Sequence, residues 1–151
     1  MRDDIETIHA ATDLLAEAKL SPELRNEALY YRAKAYTKQK ADKKAMEDYR
    51  ELAKDTRNSY GAEAKYQVAQ SLYDAKEYAA AEKELLNYIE QSTPHAYWLA
   101  RSFILLSDVY HATGKDLDAR QYLLSLQQNY QGNDDIESMI ESRLSKLKVE
   151  N

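Results

Sequence analysis

The segment that decides the fold is WLARSFILLSDVYHATGKDLDARQYLLSL, which runs from Trp98 to Leu126. Its first part is apolar on almost every side as far as His111. The pattern pauses at a single glycine, Gly114, and continues as an ordinary amphipathic helix pattern. Two helices joined by a tight turn fit this arrangement, because the apolar residues recur at three- and four-residue steps.

The same pattern occurs three times in the chain, in segments that begin at Ala28, Ala64 and Ser102. When these segments are aligned, five positions coincide: Ala33, Ala69 and Ser107; Tyr36, Leu72 and Tyr110; Ala45, Ala81 and Ala119; Tyr49, Leu85 and Leu123; Leu52, Tyr88 and Leu126. Small residues let two helix backbones approach closely, and large residues one turn later fill the groove beside them. We therefore expect three helix hairpins.

Composition supports an all-α protein. Apolar residues make up 44% of the 151 residues and charged residues 31%, with Gly 3 and Pro 2, which leaves little turn material for a β-rich fold. A net charge of -5 without a basic block argues against nucleic-acid binding. The absence of cysteine excludes disulfides and thiolate sites. No run approaches the ~20 apolar residues of a membrane span.

The repeat register predicts one domain over residues 1–151, with an αα-hairpin superhelix of about seven to eight helices. Its parts are 1–20, the second helix of a repeat whose first helix is missing; 21–57, 58–92 and 93–131, the three repeats; and 132–151, a C-terminal capping helix. The chain is thus expected to be a piece of a longer array. In the capping helix, one apolar side is formed by Ile136, Met139, Ile140, Leu144 and Leu147.

Local signals mark the helix ends. Ser21-Pro22 and Asn58-Ser59 predict the starts of the first two repeats, and Thr93-Pro94 or Ser92 predicts the start of the third. Gly114 suits the left-handed conformation that ends the first helix of repeat three. Lys40 and Lys76 occupy the same place in the other repeats, so those turns must use a less favourable residue.

These residues resemble the tetratricopeptide repeat family over nearly the whole chain. The repeats here are longer than that family's period of about 34 residues. The family's tryptophan position holds Leu29, Lys65 and Phe103. The chain is most similar to the longer bacterial type found in periplasmic and outer-membrane-associated proteins, including the C-terminal repeats of large Bacteroides-type proteins. The resemblance implies a periplasmic or outer-membrane-associated location, although the chain carries no targeting signal.

The resemblance also implies a concave groove, lined by the first helices, that binds a peptide or a partner helix. Residues at the family's groove positions, called the groove residues below, are Glu27, Tyr30, Lys34, Thr37, Lys38, Glu63, Tyr66, Gln70, Tyr73, Asp74, Arg101, Ile104, Asp108 and His111. Tyrosine suits partner contact because its rigid ring carries a hydroxyl. The clamp for chaperone carboxylates needs Lys and Asn where this chain has Tyr30 and Lys34, then Tyr66 and Gln70, which argues against that subclass.

The predicted function is therefore a non-catalytic protein-binding scaffold without metal or cofactor. The alternative is a structural segment that stacks on other repeats or self-associates. An enzyme is the third choice, because no acidic pair is placed in an apolar pocket and the three glycines are far apart. His9, His95 and His111 lack zinc-ligand spacing, and His111 is read either as a pH-sensitive groove contact or, more simply, as a solvated helix-end residue.

Overall fold

The computed structural model describes residues 2–91 and 93–147, and within them the chain forms eight α-helices and no strand. The helices are α1 (Arg2–Leu15), α2 (Pro22–Lys38), α3 (Asp42–Leu52), α4 (Ser59–Asp74), α5 (Tyr78–Glu90), α6 (Ala96–Ala112), α7 (Asp116–Asn129) and α8 (Ile136–Leu144). The all-α prediction and the predicted number of helices are confirmed.

The chain divides into two compact units, one up to Val68 and one from Ala69 onwards, and α4 contributes to both. In the first unit, α2 packs against α1 and α3. In the second unit, α6 packs against α5, α7 and α8. The first helix of a hairpin therefore lies at the centre of each unit, α2 in the first unit and α6 in the second.

Three turns, after α2, α4 and α6, have the same backbone conformation. Lys40, Lys76 and Gly114 adopt positive φ angles of 59°, 62° and 80°. In each turn the next residue donates its N–H to a carbonyl five residues back, a Schellman motif: Ala41 to Tyr36 (2.8 Å), Glu77 to Leu72 (2.9 Å) and Lys115 to Tyr110 (2.7 Å). The prediction that two lysines adopt the conformation favoured by glycine is confirmed.

The small residues that recur in the sequence are buried where helices meet. Ala33, Ala69, Ala81 and Ala119 have no exposed surface, and Ser107 and Ala45 have almost none. Ser107 satisfies its hydroxyl by donating to the carbonyl of Ile104 at 2.6 Å. The recurring large residues are buried with them, except for Tyr36, which is half-buried. Close backbone approach thus accounts for the small side chains.

Two of the three predicted helix starts are correct. Ser21 caps α2 by accepting from the Leu24 N–H at 3.2 Å, with Pro22 as the first helical residue, and Asn58 caps α4 by accepting from the Gly61 N–H at 2.8 Å. The Thr93-Pro94 start is wrong, because α6 begins at Ala96 after His95, whose N–H donates to Thr93 Oγ1. Ser92 lies outside the described residues.

The start of α4 lies unusually close to the end of α3. A Cβ at Gly61 would collide with the carbonyl oxygen of Asp55 and would lie 2.8 Å from that of Leu52. Because these obstacles are backbone atoms, they cannot rotate away. Glycine at position 61 therefore allows the turn between α3 and α4 to be this tight.

The C-terminal helix packs through its predicted apolar side. Ile136 and Ile140 belong to a buried cluster with Ala100, Ile104, Leu123 and Leu126, and Met139, Leu144 and Leu147 pack against it. The helix is shorter than predicted, since α8 ends at Leu144 and a turn follows. Residues 148–151 of the predicted cap, like Met1 of the N-terminal segment, lie outside the described residues.

Candidate functional site

In the first unit, three groove residues contact one another. The Tyr30 hydroxyl donates to Glu63 Oε1 at 2.9 Å and accepts from Lys34 Nζ at 3.0 Å. Lys34 Nζ lies 3.9 Å from Glu63 and 4.9 Å from the centre of the Tyr30 ring. Burial raises the pKa of Tyr30, and the hydrogen bond to Tyr30 raises the pKa of Lys34. This network joins α2 to α4, so Tyr30 serves helix packing as well as any contact with a partner.

Two groove residues are buried. Tyr66 is 6% exposed and Ile104 is 1% exposed, and Ile104 belongs to the cluster that α8 covers. Both side chains are shielded from solvent, contrary to the groove position that the family resemblance implies for them. Tyr66 is a core residue of the first unit.

Four groove residues of the second unit line one cleft of about 360 Å³. Gln70 and Tyr73 come from α4, and Asp108 and His111 come from α6. The sequence places each pair three residues apart, which puts both members on one helix face. The structure brings the two faces to the same opening. Gln70 also donates to Asp74 at 2.8 Å, within α4.

The other side of the cleft comes from the C-terminal part of the chain, whose residues are not among the predicted groove residues. Arg143, Lys146 and Leu147 line it together with Ser107. The signal that could have identified them is the alternation of basic and apolar residues from Arg143 to Leu147. That alternation predicts an amphipathic helix end but not the residues that it faces.

Asp108 and Arg143, which both line the cleft, form an ion pair there. Arg143 donates through Nε and Nη2 to the two carboxylate oxygens of Asp108 at 3.3 and 3.4 Å. Burial nevertheless raises the pKa of Asp108, while the guanidinium of Arg143 partly opposes this shift. Burial also raises the pKa of Tyr73, whose ring lies 5.6 Å from that of Tyr78. His111 Nδ1 lies 2.9 Å from Asp116 Oδ1, so its ring is held at the end of α6.

The C-terminal helix covers part of the predicted groove. It buries Ile104 and brings Arg143 onto Asp108, which are both groove positions of α6. The cleft is what stays open beside this contact. If the role of the chain is structural, its own last helix is expected to fill the groove. If the groove binds a partner, exposed tyrosine side chains and charges of both signs are expected there.

Three further groove residues are not among those that line this cleft. Glu27 borders an apolar cleft between α1 and α2, and Lys38 is an exposed residue in the last turn of α2. Arg101 donates to the Tyr97 hydroxyl at 2.9 Å and lies against the rings of Tyr97 and Trp98. Within each unit, the groove residues thus form separate local groups.

Neither a metal site nor a membrane span is found in the part of the chain that the structure describes. No group of three or more His, Asp or Glu side chains in residues 2–91 and 93–147 could hold a metal ion. Over the same residues, no helix has both the length and the apolar character needed to cross a bilayer.

Comparison of the chain with protein families, with curated proteins and with solved structures finds no match. Its function must therefore be inferred from the chemistry of the clefts.

Proposed function

We propose that the chain is a non-catalytic scaffold of tetratricopeptide-like hairpins that binds a peptide or partner helix. Its three Schellman turns, at Lys40, Lys76 and Gly114, have the same spacing as the coincident positions Ala33, Ala69 and Ser107. This agreement between backbone and sequence supports a repeated hairpin unit. On the resemblance described above, the proposed location is the bacterial periplasm or the outer membrane surface.

The observation that carries the binding proposal is the convergence of Gln70, Tyr73, Asp108 and His111 on one cleft. These four residues come from two helices that hold the same place in successive hairpins. The resemblance to the tetratricopeptide repeat family implies that all four lie on its binding surface. A concave opening lined by a few polar groups beside aromatic and apolar surface is the usual form of a ligand site.

The lining defines the chemistry of the partner segment. Arg143 and Lys146 are cationic, and Asp108, the carboxylate among the lining residues, is already paired with Arg143. The apolar surfaces of Tyr73 and Leu147 lie in the same cleft. We expect a peptide that carries one carboxylate beside an apolar side chain, since the first would meet Lys146 and the second Tyr73.

A peptide-display selection on the intact chain tests this proposal. Peptides with an acidic and an apolar residue side by side should be enriched, and Tyr73→Ala should weaken their binding about tenfold without lowering the melting temperature. Leu117→Ala, which truncates an exposed side chain of the second unit outside this cleft, is the control and should leave binding unchanged. Binding that survives Tyr73→Ala, or a selection that enriches nothing, would contradict the proposal.

The structural alternative rests on a specific observation, the packing of α8 against α6 and α7. In that case α8 completes the second unit, and the cleft beside it is a by-product of packing. Truncation before Ile136 separates the two functions. Loss of folding would favour the structural role, whereas a folded truncated chain with altered peptide binding would favour the cleft.

A further inference from the structure

The first unit contains a second cleft, between α1 and α2, with a mostly apolar lining and a volume of about 390 Å³. Ala10, Ala11 and Leu14 line it from α1, and Leu24, Glu27 and Tyr31 line it from α2. Leu24 and Tyr31 are 47% and 49% exposed, so large apolar surface faces solvent there. Such exposed apolar surface on a small unit indicates a binding surface.

The α1 side of this cleft corresponds to the α3 surface on which α2 lies. The repeat register that relates Ala11 to the buried Ala45 also relates Leu14 to Asp48 and Ala10 to Lys44. Asp48 accepts two hydrogen bonds from Arg32 of α2, at 2.7 and 2.8 Å. Lys44 Nζ lies 5.7 Å from the ring centre of Tyr36, also of α2. The positions that line the cleft on α1 are therefore helix-contacting positions on α3.

The α2 side of the cleft corresponds to the α4 surface that α2 contacts. The repeat register that relates Ala33 to Ala69 also relates Leu24 to Tyr60 and Glu27 to Glu63. The Tyr60 ring lies 4.6 Å from the Tyr30 ring, and Glu63 accepts from the Tyr30 hydroxyl. The cleft residues compared here, on both helices, thus hold the same repeat positions as the residues of α3 and α4 that contact α2.

We infer that the cleft between α1 and α2 is a docking site for an amphipathic α-helix of a partner protein. By correspondence with Tyr30, Arg32 and Tyr36, the partner helix carries a hydrogen-bond donor at position i, facing Glu27. It carries an apolar residue at i+2, facing Leu14, and a large residue at i+6, facing Ala10. This site does not depend on the cleft of the second unit.

The contact chemistry argues against a second copy of α2 as the occupant. If a second copy of α2 occupied the cleft, its Arg32 would lie against Leu14. Within this chain, Arg32 forms an ion pair with Asp48 instead. A guanidinium placed on apolar surface without its carboxylate is desolvated and unpaired. The docked helix must therefore differ from α2 at i+2, where an uncharged apolar residue complements Leu14.

Two helical peptides test this inference. Both have the sequence of Ser21–Gln39 with Glu27→Lys, which forms a lactam with Glu23 and holds the helix. One keeps arginine at position 32, and the other carries Arg32→Leu. By fluorescence anisotropy with the intact chain, the Arg32→Leu peptide should bind at least about tenfold more tightly. Equal binding of the two peptides, or binding of neither at millimolar concentration, would overturn the site.

Chain variants locate the binding. Leu24→Asp should weaken the Arg32→Leu peptide about tenfold or more, and it should not unfold the chain, because Leu24 is half exposed. Leu117→Asp changes a similarly exposed leucine of α7 and is the matched control, and Tyr73→Ala tests independence from the other cleft. An unchanged affinity with Leu24→Asp would overturn the location. If the chain dimerises in sedimentation equilibrium and Leu24→Asp abolishes the dimer, the occupant of the cleft is a second copy of the chain and not a partner protein.

Discussion

The helix pairs α2–α3 and α6–α7 end their first helices with the same turn but are held together by different chemistry. In the first pair, Arg32 donates to both oxygens of Asp48, whose side chain is 6% exposed. The register places Leu106 and Tyr122 at the same positions of the second pair. Leu106 has no exposed surface, and the Tyr122 ring lies 5.6 Å from that of Tyr110.

This difference follows from what surrounds each central helix. The α6 helix packs against α5, α7 and α8, and eight of its residues are buried, whereas four residues of α2 are buried. A helix enclosed on several sides is stabilised by apolar burial, while a helix with an open side can keep a polar link that stays partly hydrated. One backbone plan thus accepts either an ion pair or an apolar contact.

The largest expected effect is from the apolar pair. Leu106→Ala should lower the free energy of unfolding by about 3 kcal/mol, because it removes a fully buried side chain and leaves a cavity. Urea denaturation followed by circular dichroism measures it. Leu117→Ala, at an exposed leucine of the same pair, should change stability by less than about 0.5 kcal/mol. Equal losses for the two variants would show that α6 is not the enclosed helix.

The ion pair should give a smaller loss that can be recovered. Asp48→Ala leaves the Arg32 guanidinium without its carboxylate and should cost about 2 kcal/mol, less than a fully buried pair, because Arg32 reaches solvent. Adding the residues of the second pair, Arg32→Leu with Asp48→Tyr, should bring the chain within about 1 kcal/mol of the original. If the double variant is less stable than Asp48→Ala, the two helix pairs do not provide equivalent environments at these positions.

The turns that end α2 and α6 give the next effect. Substitution at the turn is expected to destabilise the second pair and to stabilise the first. A Cβ at Gly114 would meet no atom within 4 Å, so Gly114→Ala tests the left-handed conformation alone and should cost about 1 kcal/mol. Lys40→Gly should stabilise the chain by about 0.5 kcal/mol, since a side chain at positive φ is disfavoured. Thermal melts of both variants provide the comparison. Destabilisation by Lys40→Gly would indicate that the lysine side chain contributes contacts.

The helices and turns could be predicted because their signals are local. Small residues at fixed spacing, the Ser21 cap and glycine or lysine at the turn each act within one or two helical turns. The candidate clefts depend on distant segments. Tyr30 and Tyr66 hold the same register position, yet Tyr30 is half-buried and Tyr66 is core, because different neighbours cover them. Similarly, periodicity predicts the apolar side of α8, but it does not predict that Arg143 reaches Asp108.

The smallest expected effect is the pH dependence of stability that Asp108 causes. Arg143 of α8 donates two hydrogen bonds to this carboxylate. Burial raises its pKa in the folded chain above the ordinary value of 3.8. The folded state therefore binds more protons than the unfolded state just above pH 3.8, and the contribution of Asp108 becomes less favourable as pH rises through the folded pKa. Asp108→Asn removes this contribution, so its stability relative to the original chain should improve between pH 3 and pH 7 in paired urea titrations. Arg143→Gln removes the opposing cation and should enlarge the loss of stability over the same range. If Asp108→Asn and the original chain keep a constant difference in stability across this range, the hydrogen bonds from Arg143 fully offset the desolvation of the carboxylate and its pKa is not raised.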